Sequence, residues 1–175
     1  HVRGHIDTAL AALQAQHRGP LRLVMRRGAG KAHVVAVRRG VVRQPAVIAY
    51  DVGAVRVIHI TRFSHGVAQD VRRFARHAPV VVLDLRGNPG GLISEAINTV
   101  DVFLQRGRIV SYSGAHTLPQ VVSAKHAALP RRPLVVVVDR ATASAAEIVA
   151  AALGENKRAK IVGTRTFGKA SIQAV

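Results

Sequence analysis

The sequence has no cysteine and no tryptophan, and its 175 residues include only four Phe and two Tyr. Without a thiol, cysteine-dependent catalysis, Cys-ligated zinc and disulfide stapling are all excluded. Six aromatic rings are too few for the stacking platforms that single-stranded nucleic acids use. Acid is scarce too: 9 Asp plus Glu face 26 Lys plus Arg, a formal charge of +17. Such an excess can neutralise phosphates. Here it is scattered, with Arg pairs at 26/27, 38/39, 72/73 and 131/132, and 21 of the 26 cations are Arg, a bias that base composition also explains. No nucleic-acid partner is expected. Long hydrophobic runs are missing as well. The longest, such as residues 134–138, are strand-length and far from the ~18 to 20 residues of a membrane-spanning helix, so a soluble chain is expected.

What is present is a globular composition, 49% hydrophobic and 20% charged, which excludes global disorder and collagen-like scaffolds. The chain opens at His1 with neither an initiator Met nor a signal-like pattern and reads as an internal fragment. Apolar spacing predicts a helix over 6–16, ended by Gly19 and Pro20. Runs 21–25 and 34–37 flank Gly28-Ala29-Gly30 and predict a hairpin. These pieces bury too little to stand alone and look like the tail of a small domain covering residues 1–42. From Val47 onward strands alternate with helices. Strands are expected over 55–60, 80–85, 108–112, 134–138, 161–163 and 171–175, and helices over 66–77, 93–105 and 144–153. Residues 113–132 read as a loop region with some helix around 118–128. Continuously apolar strands joined by crossover helices predict an α/β fold with a mostly parallel sheet covered on both faces. In such sheets function collects beyond the carboxyl ends of the strands, which here means loops 86–91 and 139–144.

Three segments can carry chemistry. Ser144 follows a buried strand and opens a helix; Ser144-x-x-Glu147 is a capping box on one reading. On the other, the hydroxyl is a nucleophile and the next N–H, on Ala145, faces a developing oxyanion. A Ser nucleophile needs a base. His17, His33, His65, His77 and His126 carry no paired acidic motif, which leaves a deprotonated Lys as in Ser-Lys pairs. Of five Lys, Lys169 stands between Phe167-Gly168 and a strand-like Ile172. To act as a base it needs desolvation that lowers its pKa by about 3 units from ~10.4. The third segment is Gly87-Asn88-Pro89-Gly90-Gly91, whose glycines allow a backbone N–H to approach a substrate carbonyl.

Together VVVLDLRGNPGG, PLVVVVDRATASAAEIVAAAL and RAKIVGTRTFGKASIQAV, in this order, resemble the carboxyl-terminal processing (tail-specific) serine peptidases. The three motifs recur at compatible spacing, with Ser144 and Lys169 25 positions apart. The resemblance implies a crotonase-like protease core over 43–175, cut at its C-terminus, preceded by the last part of a PDZ domain. It implies Ser144 as nucleophile, Lys169 as general base and Gln173 as the residue orienting Lys169, with Gly91 and Ala145 N–H groups as the oxyanion hole. Glu147 and Thr166 would support them. No metal or cofactor is implied. The implied partners are proteins or peptides with apolar C-termini, a homo-oligomer is compatible, and the implied location is extracytoplasmic. Ala170 and Ala146 depart from the family's usual Gly and Ser. A catalytically inactive peptide-binding homologue is the alternative, a crotonase-type acyl-CoA enzyme a further rival, and the isolated chain is expected to have weak activity or none.

Overall fold

The computed structural model describes residues 20–38, 44–114, 117–125 and 128–169. The chain divides into two compact units, His1–Gln44 and Pro45–Val175. In the first, β1 (Leu21–Met25) and β2 (His33–Val37) form the expected antiparallel hairpin, in register from Leu21 with Val37 to Met25 with His33. The turn closes with Gly28 at φ +57° and a Gly30 N–H donated to Arg27 O at 3.1 Å. The helix expected over 6–16 lies outside the described residues.

The second unit is built on a five-stranded sheet in the order β3-β4-β5-β8-β9: β3 Val47–Val52, β4 Val55–Ile60, β5 Val80–Asp84, β8 Leu134–Val138 and β9 Lys160–Gly163. β3 and β4 form an antiparallel hairpin whose two-residue turn begins at Gly53, φ +58°; the later strands are parallel. The fold is thus α/β with a mainly parallel sheet. Its helices are α1 (Val67–Ala75), α2 (Ile93–Phe103) and α3 (Ala145–Glu155). α1 packs on β3 and β4, α2 between α1 and α3, and α3 against β9.

Buried positions alternate along the strands, as period-two side chains require: Ile58 and Ile60, Val81 and Leu83, Val136 and Val138. They meet Val67, Val71, Val100, Val149 and Leu153 of the helices in one hydrophobic cluster. The opposite face differs from the expectation of cover on both sides. Among the described residues Val57, Val82, Val135 and Val137 are half-buried there, and Ile48, Tyr50, Val52 and Val162 are exposed. A second difference lies at 118–128, expected to include helix. There the chain forms β7 (Thr117–Ser123), antiparallel to β6 (Arg108–Gly114). Pro119 has no N–H to give a helix, and the β-branched Val121 and Val122 suit a strand whose partner is adjacent in sequence. The strand expected over 171–175 lies outside the described residues.

Candidate active site

β5 and β8 are neighbours, so the turns that leave their carboxyl ends lie side by side. Hydrogen bonds join one turn to the other. Asp139 Oδ1 accepts from the N–H groups of Gly87, Ala141 and Thr142, each at 3.0 Å. The single Thr142 hydroxyl proton is shared between Leu85 O at 2.9 Å and Asp139 Oδ1 at 3.2 Å, while the same oxygen accepts from Asp139 N–H at 2.9 Å. Asn88, completely buried, donates its amide to Ile60 O at 2.9 Å, accepts from Gly90 N–H at 2.8 Å and offers its carbonyl to Ala143 N–H at 2.9 Å. A buried amide with each group satisfied fixes its loop, because leaving one unpaired would cost about 1–3 kcal/mol.

This stitching sets the backbone of the Gly-rich turn. Gly90 N–H is consumed by Asn88, Gly90 O accepts from Phe63 N–H at 2.8 Å, and Phe63 O accepts from Leu92 N–H at 2.8 Å. Gly91, φ +135°, bridges Phe63, and a Cβ on it would collide with the Phe63 carbonyl. Gly91 N–H has no partner among the described residues.

Ser144 follows β8 through this turn and caps α3 with φ +55° and ψ −121°, a conformation that L-residues adopt only under constraint. The capping-box pattern is present, but its halves are unequal. The Glu147 carboxylate accepts from Ser144 N–H at 2.8 Å. The Glu147 N–H donates to the Ser144 carbonyl oxygen at 2.9 Å, and the Ser144 hydroxyl makes no cap hydrogen bond. Ala145 is fully buried, and its N–H, at the positive end of α3, has no partner among the described residues.

Glu147 also receives the last described segment. Its Oε1 accepts from Gly168 N–H at 2.7 Å, its Oε2 from Lys169 N–H at 2.9 Å, and the Thr166 hydroxyl donates to the same carboxylate. Phe167 N–H adds a bond to Thr142 O at 3.0 Å. One carboxylate therefore holds the backbones of Ser144, Gly168 and Lys169. Burial pushes the Glu147 carboxyl up, but Thr166 and the three N–H groups outweigh it and hold it below its ordinary value. The Lys169 side chain is exposed. The segment that follows Lys169 lies outside the described residues. Gln173 lies there too.

Beside these turns sit three residues that sequence reasoning missed. Arg86 grips the buried Asp84 carboxylate with Nε at 2.9 Å, Nη2 at 2.8 Å and its own N–H at 3.0 Å. His59 Nδ1 lies 3.5 Å from the second Asp84 oxygen. Burial raises the Asp84 carboxyl, but these Arg86 contacts, with His59, prevail and leave it lowered. The i, i+2 spacing of Asp84 and Arg86 at a strand end was a readable signal of a local pair. His59 carried none, since its partner is on the next strand.

The class is thus an α/β protein whose polar groups converge on two stitched turns at the carboxyl edge of a parallel sheet. The model of peptidase family S41 matches residues 51–175. A carboxy-terminal-processing protease of Bartonella bacilliformis is 35% identical over 168 residues, covering 89% of this chain and 39% of that protein. The carboxy-terminal processing protease CtpA of Bacillus subtilis is 38% identical over 122 residues, 66% of this chain and 26% of that protein. Among solved structures, a photosystem II D1 C-terminal processing protease superposes with a TM-score of 0.71 at 25% identity, covering 89% of this chain and 46% of the other. The chain belongs to peptidase family S41. It spans about two-fifths or less of the length of these two curated relatives.

Proposed function

We propose that the protein is a serine endopeptidase that cleaves proteins at or near apolar C-terminal tails. The observation that carries this reading is the geometry at Ser144-Ala145. A serine is held at positive φ on a helix N-terminus, and the next N–H is buried and unpartnered among the described residues. A buried donor without an acceptor is costly in the resting protein and is suited to an oxygen that becomes negative during reaction. Membership of family S41 and the processing-protease names of the relatives support the reaction class.

In this mechanism the Ser144 hydroxyl oxygen attacks the scissile carbonyl carbon while neutral Lys169 Nζ takes the hydroxyl proton. The carbonyl oxygen, now an oxyanion, is held by Gly91 and Ala145 N–H groups. Collapse breaks the C–N bond, and the departing amine takes the proton from Lys169 Nζ. Water, deprotonated by the same Nζ, then attacks the acyl carbon; the ester C–O bond breaks, and the departing Ser144 oxygen takes the proton back from Nζ as the new C-terminal carboxyl is released. Gln173 orients Lys169, and Glu147 with Thr166 holds the Ser144 and Lys169 backbones together. Residues 43–175 form the protease core in this reading and residues 1–42 the end of a PDZ domain. The location is extracytoplasmic. No helix among the described residues is long and apolar enough to cross a membrane.

The test compares the intact protein with its Ser144→Ala and Lys169→Ala variants on a protein substrate with an apolar tail. Each substitution should lower kcat by at least about a thousandfold. Near wild-type turnover in either variant overturns the assignment. A catalytically silent peptide-binding homologue is the alternative reading. That reading requires peptide binding without turnover and no labelling of Ser144 by a serine-directed phosphonate.

A further inference from the structure

We infer that Asp139 is a positioning residue for the oxyanion hole, aligning the two donor-bearing turns through one carboxylate oxygen. The inference rests on the peptidase reading of Ser144. Gly91 and Ala145 come from different turns, so the separation of their N–H groups depends on the bonds that join those turns. Asp139 Oδ1 supplies a direct link. It holds Gly87 N–H, four residues before Gly91, and Ala141 and Thr142 N–H groups, four and three residues before Ala145, all at 3.0 Å. Three donors converging on one oxygen define a point from which both turns depart.

Asn88 and Thr142 also cross between the turns, but through backbone carbonyls of Asn88 and Leu85, so they act as single bonds. Among the described residues Asp139 alone collects donors from both turns on one side-chain atom. It is only partly buried, and its carboxylate hydrogen bonds go to Gly87, Ala141 and Thr142 and to neither Ser144 nor the described part of the Lys169 segment. Its effect on the reaction must therefore pass through the backbone. An oxyanion donor displaced by about 1 Å can cost on the order of a hundredfold in rate.

The experiment uses the intact protein and its Asp139→Ala and Asp139→Asn variants, with Ser144→Ala alongside. It reads kcat and KM on an apolar-tailed substrate, affinity for a peptide aldehyde that adds to serine, and affinity for the matching product peptide. Asp139→Ala should lower kcat about 10- to 100-fold with KM changed less than about threefold. Aldehyde affinity should fall in parallel while product affinity holds. Asp139→Asn, which keeps an acceptor oxygen, should recover a substantial part of kcat. The inference is overturned by unchanged kcat in a folded Asp139→Ala variant, by equal losses of aldehyde and product affinity, or by no recovery in Asp139→Asn. If Asp139→Ala does not fold, full wild-type kcat and aldehyde affinity in Asp139→Asn support an acceptor role, and loss of product affinity in it overturns that role. Retained turnover in Ser144→Ala would instead sink the peptidase reading itself.

Discussion

Gly90 stands at φ +103°, and a Cβ there would lie 2.8 Å from the Ser144 Cβ, 2.9 Å from Ala143 O and 3.0 Å from the Ala145 nitrogen. Real Cβ atoms do not come that close to backbone. Gly90→Ala must therefore push the Gly-rich turn away from Ser144 and crowd the space beside the Ala145 N–H. The expected outcome is a loss of at least about a hundredfold in kcat with the circular dichroism spectrum retained. Gly91→Ala meets the Phe63 carbonyl within a backbone bridge, so its main effect should be a lowered thermal midpoint. At this scale Ser144 was legible, because a serine between a buried strand and a helix is a pattern in the sequence itself. Asp139 was not, since its function in the turn depends on Gly87, which is 52 positions away.

The elements that carry the site are stabilised by the alternating buried face of β4, β5 and β8. Leu83 is fully buried in mid-strand against the helices. Leu83→Ala removes that contact and leaves a cavity, which should cost about 2–5 kcal/mol. Denaturant unfolding would measure it, and a loss below about 1 kcal/mol would mean that the core is looser than its burial indicates. The parallel order of these strands was legible because apolar runs alternated with amphipathic helices. β7 was not legible, because Pro119 and a few valines give no strong period. Its pairing with β6 is what selects the strand.

Across the whole molecule the nine carboxylates are scarce and several are engaged. Asp84, Asp139 and Glu147 all have lowered pKa values. For Asp139 the Gly87 N–H is the leading cause, and for Asp84 and Glu147 hydrogen bonds outweigh burial. A folded pKa below the unfolded value gives stability that is complete above the unfolded value, roughly 3.9 for Asp and 4.3 for Glu. It is lost as pH falls through the folded value. These groups should contribute a constant amount from pH 7 to about 5 and a falling one below about 4. Urea midpoints against pH would show this, with a shallower acid slope in Asp84→Asn than in the parent protein. A slope that is unchanged would separate Asp84 from acid unfolding. The sequence by itself determined the α/β class and pointed to the two loops of the candidate site and to Ser144 as a candidate. Each depends on local pattern: period, burial and turn residues adjacent in the chain. Only the tertiary structure decided which N–H groups Asn88, Asp139 and Glu147 consume and which ones, at Gly91 and Ala145, they leave without a described partner. The Ser144–Glu147 pair is local, but the bonds that align the turns join distant segments, such as Gly87 and Asp139, 52 positions apart, and no local spacing encodes those.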